Sequence, residues 1–372
     1  MATKAKKKKA KMAQSMGFDN PRKPAYWPLV LGAGVGLFVG LSIFLVSNKR
    51  YSSEANHNVE IQHPSVPPKA KSLVNPVVNS KGYAILDIGE IAELEGKINV
   101  KIQGFLKSGK AKSISVYFRD LSNEDVIGIN EKETFSPASL MKVPVMLSIL
   151  KLADSDPQIL KLKLPFYGRK ESLFVGEGNM PFNTTTSLVA GQNYPIEDLL
   201  RIMTIESDNE ATYLLLDYID GNYPGFRIKS QEKLGLVLPA NAVNTENFVT
   251  VRQYSSFFRT LYNASYLSPK MSELALSYLA NSGFEGGIKS NTPSRMKVSH
   301  KFGFKQIDAS NYQLHDFGIV YYPRKPFLLG IMTKGGNVQD IKAVIAELMK
   351  LIFSEIESHA RDSNHHLDRD LI

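Results

Sequence analysis

The sequence predicts an α+β fold: a five-stranded antiparallel sheet flanked by helices, a helical subdomain beside it, and one transmembrane helix ahead of both. Three observations predict it. Strand-like runs rich in β-branched and aromatic residues occur early, at Ser113–Asp120, and again late, at Phe317–Tyr322 and Phe327–Thr333. Between them, apolar residues recur at three and four positions, the spacing of helices. Ahead of everything lies Trp27 to Asn48, an uncharged, apolar run long enough to cross a bilayer.

The chain has 372 residues, 43% of them hydrophobic, which allows one sizeable core with appendages. It has no cysteine, so disulfides and thiolate metal sites are excluded. The net charge of +9 is concentrated at one end: residues 1–26 carry eight Lys and Arg against one acid, Asp19. A basic tail directly before an apolar span reads as a topology signal that contacts membrane lipid, and not as a nucleic-acid patch. Tyr26 and Trp27 sit at one interface of the span 27–48, and Lys49 and Arg50 close the other. This asymmetry predicts a single-pass protein of the cell membrane, N-terminus in the cytoplasm and the rest extracytoplasmic. No small-x-small cleavage site follows, so the anchor is read as uncleaved. Gly32, Gly36 and Gly40 share one helix face, which permits a homodimer, although glycine is also simply common in membrane helices. Residues 49–80, with Pro64, Pro67, Pro68 and Pro76, read as an extended linker.

The folded domain is placed at 81–358. Ile91, Leu94, Ile98, Ile102 and Phe105 predict an amphipathic helix. Strand Ser113–Asp120 turns at Ser122–Asp125 and returns over Val126–Asn130. A helix is predicted from Ser139 to about Ala153, with Pro144 in its first turns, where a missing N–H costs least. Residues 157–198, with Gly168, Gly176, Gly178 and Gly191, read as irregular. Helices follow over Pro195–Ile205, Asn209–Ile219, Val251–Tyr262 and Lys270–Ala280. Strands return at Met296–Gly303 and at the two late runs already named. Asn337 then caps a final helix whose Val338, Ile341, Val344, Ile345, Leu348, Leu351 and Ile352 form one apolar stripe. Residues 359–372 are polar and read as a frayed tail.

Chemistry enters with Ser139-x-x-Lys142, a spacing that puts both side chains on one helix face. A buried lysine amine can take the proton of an adjacent serine hydroxyl, which makes Ser139 a nucleophile with its own base. Alone, the pair is more often solvated helix surface. It is followed by Ser207-Asp208-Asn209 and then by Lys301-Phe302-Gly303. The order S-x-x-K, S-D-N, K-T-G is the motif set of class A β-lactamases and penicillin-binding proteins. Over roughly residues 81–358 the chain resembles that superfamily of serine hydrolases, with its β-lactamase/transpeptidase-like fold.

The resemblance implies roles. Ser139 attacks a carbonyl and becomes acylated, Lys142 accepts its proton, Ser207 passes a proton to the leaving nitrogen, and Asn209 holds a substrate amide and Lys142. Asp208 braces its loop. Lys301 brings positive charge for a substrate carboxylate, Gly303 lets substrate lie along the strand, and the N–H groups of Ser139 and Phe304 form the oxyanion hole. No cofactor and no metal are implied; the substrate is a small-molecule β-lactam or a cell-wall peptide. Two departures stand out. Phe302 replaces a hydroxyl-bearing residue of the third motif. The Glu-x-x-x-Asn pattern of the deacylating loop is absent, and Glu246, the only acid between Leu236 and Asn247, is either a deacylation base or a surface glutamate. His315-Asp316 invites a triad with Ser139, but a strand-end histidine satisfied by its neighbours is favoured, and His300 is read as structural. His365-His366 could take up a metal adventitiously. The functional readings are a membrane-anchored β-lactamase, a D-alanyl-D-alanine peptidase that β-lactams acylate, and an inactive tethered binding protein.

Overall fold

Helix α1 (Ile88–Lys107) places Leu94, Ile98, Ile102 and Phe105 on one buried face, as their spacing dictates. It opens the main body of a computed structural model that describes residues 72–75, 88–123, 125–168, 186–237, 247–323 and 325–369. All of them belong to the compact unit Pro67–Ile372. The predicted span 27–48, its glycine face and Glu246 lie outside the described residues. No helix among the described residues is long and apolar enough to cross a membrane.

After α1 come strands β1 (Ser113–Asp120), β2 (Val126–Ile129) and β3 (Thr134–Phe135). A 3-10 turn at Ala138–Met141 leads into α2 (Lys142–Ser155). A second 3-10 turn precedes the hairpin β4 (Lys163–Phe166) and β5 (Gln192–Pro195). The helical block is α3 (Ile196–Ile205), α4 (Asn209–Asn222) and α5 (Phe226–Lys233), then, after the short strand β6 (Val249–Thr250), α6 (Val251–Tyr262) and α7 (Pro269–Ala280). Strands β7 (Val298–Asp308), β8 (Asn311–Val320) and β9 (Phe327–Gly335) precede the last helix, α8 (Val338–Arg369). The main sheet is antiparallel throughout, in the order β2-β1-β9-β8-β7, so β7 is an outer strand.

The two faces of this sheet serve two cores. On one, Phe327, Leu329 and Ile331 of β9 pack with α1 and with Ile341, Val344, Ile345 and Leu348 of α8. On the other, Leu328 and Met332 join the helical block. The period-two alternation of β9 is the reason one strand can line both. At the centre of the helical block, α2 is buried on nearly every side, which explains its unbroken Val143-Pro144-Val145-Met146-Leu147 run.

Several expectations need correction. Residues 157–198 contain the β4–β5 hairpin. Helix α5 was not anticipated: it buries the polar Ser230 and Gln231 instead of an apolar stripe. Strand β8 starts at Asn311, well before Phe317, because the buried Gln313, His315 and Asp316 interrupt the apolar pattern. Helical backbone continues to Arg369 inside the segment read as frayed, since no Gly or Pro intervenes to stop it.

The predicted linker also yields part of its length to the domain. Leu73 and Val74 are buried in the core of the helical block. The Glu273 carboxylate accepts hydrogen bonds from the N–H of Leu73 (2.8 Å), the N–H of Val74 (3.1 Å) and the Ser72 hydroxyl (2.7 Å). The Tyr321 hydroxyl donates to Leu73 O, and Asn75 N–H donates to Tyr262 O. Removing Glu273 takes the shared acceptor away from the part-buried N–H groups of Leu73 and Val74. Glu273→Ala is therefore expected to lower unfolding free energy by about 1–3 kcal/mol, read from urea midpoints. A midpoint equal to that of the wild type would show that the strap adds no stability.

Candidate active site

The 3-10 turn that carries Ser139 is fixed from three sides. Pro144 has no N–H to give the Leu140 carbonyl, and the buried Tyr254 hydroxyl donates to it instead at 2.8 Å. Ser139 thus sits just before α2 rather than in its first turn. Ala138, immediately ahead of it, has φ +47°, a left-handed conformation that non-glycine residues adopt at a cost. Against the turn lies β7. A Cβ on Gly303 would come within 2.6 Å of Pro137 O and 3.2 Å of Leu140 N, so only glycine lets the strand approach. The space that a side chain at 303 would need is taken by the serine turn itself.

The third clamp comes from β8. The Gln313 amide oxygen accepts from Ser136 N–H at 3.0 Å, and its NH₂ donates to Asn247 at 2.8 Å. His315 Nε2 donates to Ser136 O at 2.9 Å while its Nδ1 accepts from Thr333 N–H at 3.3 Å. That pairing defines a neutral ring, and complete burial, opposed by the bond to Ser136, pushes its pKa down to about 3. Residues 313 and 315 face the same way, 316 the other. Asp316 accordingly pairs with His300 at 3.0 Å on the opposite face and accepts from Ile288 N–H at 2.9 Å. A Ser139-His315-Asp316 triad is excluded by this alternation, and the structural reading of both histidines stands.

Lys142 is buried, and its amine meets four oxygens: Ser207 O at 2.5 Å, Asn209 Oδ1 at 2.6 Å, Ser139 Oγ at 3.1 Å and Ser207 Oγ at 3.3 Å. The two nearest are carbonyls, which can only accept. They engage two N–H groups, and the remaining tetrahedral position of the nitrogen is left for the hydroxyls. In its neutral form that position is the lone pair a general base needs. Ser207 has φ +58°, a turn that presents both its carbonyl and its hydroxyl to Lys142. Asp208 does not face this group. It caps α4, accepting from Ala211 N–H at 2.7 Å, which fixes the helix start and so the placement of Asn209.

From β7, Lys301 reaches the same serine. Its amine donates to Ser207 Oγ at 2.8 Å and to Phe302 O at 3.2 Å. It is fully buried; burial first, and then the nearby Lys142, hold its pKa well below the lysine range, while Asp316 pulls the other way. Phe304 lies on the same outer strand with its ring stacked on Tyr312, and alternate N–H groups of an outer strand point away from the sheet. The fold thus brings Ser139, Lys142, Ser207, Asn209, Lys301 and Gly303 together. Among the described residues no group of three or more His, Cys, Asp or Glu side chains could hold a metal ion, and the side chains of His365 and His366 lie outside them. Tyr254 and Gln313 were missed by sequence reasoning. The only signal was a polar residue two positions before His315, on the same face of the strand.

With this geometry in place, comparison with known proteins identifies the class. A beta-lactamase enzyme family model matches residues 97–356, and the chain belongs to that family. No curated protein matches it. Among solved structures it is similar to the extended-spectrum β-lactamase TLA-1, with TM-score 0.60 and 19% identity over 72% of this chain and 99% of that one. A class A β-lactamase from Bacteroides cellulosilyticus matches with TM-score 0.60 and 18% identity, over 71% and 99% of the two chains. PBP-A, in an acyl-enzyme complex with penicillin G, matches with TM-score 0.58 and 16% identity over 72% and 97%. The shared feature at these identities is the fold.

The neutral His315 makes a pH prediction. Its folded pKa, about 3, lies below the ordinary 6.5, so the unfolded chain binds more protons between those values. The contribution is complete above pH 6.5 and is lost as pH falls toward 3. At pH 5 about 2 kcal/mol of it is gone. His315→Gln lacks this dependence, so the stability gap between wild type and variant should narrow by about 2 kcal/mol from pH 7 to pH 5 in urea titrations. A gap that stays constant would mean that the ring takes up protons equally in the folded and unfolded chains.

Proposed function

We propose that the chain is a serine hydrolase that opens an amide, in the first instance a β-lactam ring, through an acyl-Ser139 intermediate. The observation that carries this reading is the arrangement around Lys142, with two carbonyl acceptors on its N–H groups and Ser139 Oγ at 3.1 Å. As Oγ bonds to the substrate carbonyl carbon, the neutral amine takes the hydroxyl proton. The developing oxyanion lies between the N–H groups of Ser139 and Phe304; one donor of that kind lowers the barrier by about 2.7–4 kcal/mol. The C–N bond then breaks as Ser207 passes its proton to the leaving nitrogen, and the protonated Lys142 amine, 3.3 Å from Ser207 Oγ, restores it. Water completes the cycle by cleaving the ester.

A second reading, a D-alanyl-D-alanine peptidase that β-lactams acylate, is favoured by the missing Glu-x-x-x-Asn pattern, since slow deacylation leaves the adduct standing. The uncharged run 27–48 behind a basic tail supports anchoring in the cell membrane with this domain outside.

Intact-mass measurement after treatment with penicillin G is expected to show one adduct, absent in Ser139→Ala. Lys142→Met should slow its formation by about 10²–10⁴-fold. A wild type that forms no adduct leaves only the inactive binding protein. Glu246→Gln should leave the adduct lifetime unchanged; a variant that traps an adduct the wild type clears would make Glu246 the deacylation base.

A further inference from the structure

Strand β8 carries a buried acid that the acylation steps do not use. Asp316 is fully buried; its carboxylate faces His300 Nδ1 at 3.0 and 3.2 Å and accepts from Ile288 N–H at 2.9 Å. Gly287, at φ +63°, brings that backbone close, and a side chain there would collide with Asp316 Oδ2. Among the described residues, His300 is the ion-pair partner of Asp316.

The charge of this pair follows from the second ring nitrogen. His300 Nε2 is buried and meets no hydrogen-bond partner among the described residues. A proton on it would be stranded, and a bare lone pair costs less. A carboxylate opposite Nδ1 requires a proton between them, which Nδ1 then carries. The ring is neutral, the carboxylate is ionised, and the pair holds one net negative charge in the core.

Asp316 pairs with Phe302 across the β7–β8 ladder, so Lys301 is one position away on the neighbouring strand, its side chain on the opposite face. Both groups are fully buried, where water screens charge weakly. Burial, and then Lys142, hold the Lys301 pKa down, and Asp316 opposes them. Lys142 and Lys301 meet at one hydroxyl, Ser207 Oγ, at 3.3 and 2.8 Å. The other ionisable groups around the acid are three. Tyr254 of α6 is held protonated by burial and then by the Asp316 charge. Lys342 of α8 lies over Gly286, and Lys289 of the turn Gly287–Asn291 pairs with Glu285 at 2.7 Å.

We propose that Asp316 is a positioning residue for acylation: its buried charge draws the proton of the two-amine site onto Lys301 and leaves Lys142 as the neutral base. This rests on the acyl-Ser139 reading above and deepens it, by giving the two lysines different protonation states.

The test reads initial rates of Ser139 adduct formation with penicillin G across pH, by intact mass, for wild type and Asp316→Asn. Without the negative charge both amines lose protons more readily, so the acid limb of the profile should move to lower pH by about one unit. A folded variant whose rate falls while the limb stays in place overturns the inference and leaves the acyl-enzyme reading intact. If the wild type forms no adduct, both fall. Nitrogen NMR of the wild-type His300 ring at neutral pH decides the matter even if the variant does not fold. A protonated Nδ1 with a bare Nε2 supports the assignment. A proton on Nε2 means that the pair carries no net charge, and overturns it.

Discussion

A lysine amine can be buried only where something accepts its hydrogens, and the site is built around that requirement. Lys142 opens α2, and its acceptors are Ser207 O, from the turn between α3 and α4, and Asn209 Oδ1, from the first residue of α4. Lys301 comes from the sheet and meets the same turn at Ser207 Oγ. Two amines and two hydroxyls thus share one small volume without a carboxylate among these contacts. At Lys301, burial first and then the like charge of Lys142 oppose protonation.

Such an arrangement works only if the serine turn stays in place. Three elements hold it: α6 through Tyr254, β7 through the absent side chain of Gly303, and β8 through Gln313 and His315. The Ser136 backbone is bonded on both its N–H and its C=O, so the backbone reaching Ala138 has little freedom to relax from its left-handed conformation. Strain at one residue is tolerated where neighbouring contacts over-determine the path.

The neighbourhood of the third motif shows how one strand serves the site and the core at once. Lys301 and Gly303 keep their contacts with Ser207 and with the serine turn. Phe302, between them, points to the other face of β7 and joins Phe284 in the core. Residues that face the serine turn and residues that face the core alternate along the same strand, because its side chains alternate.

The sequence by itself determined the five strands of the main sheet and their order along the chain, the apolar faces of α1 and α8, and the motifs that converge, because spacing and side-chain type fix local structure and the chemistry available to it. It could not show the Leu73–Val74 strap, the polar burial of α5 and β8, or the clamps from Tyr254, Gln313 and His315. Each of these joins residues far apart along the chain, and a polar residue reads as exposed until its distant partner is known. Gly303 is the plainest case: the motif names it, but only the packing of β7 on the serine turn says what its missing side chain makes room for.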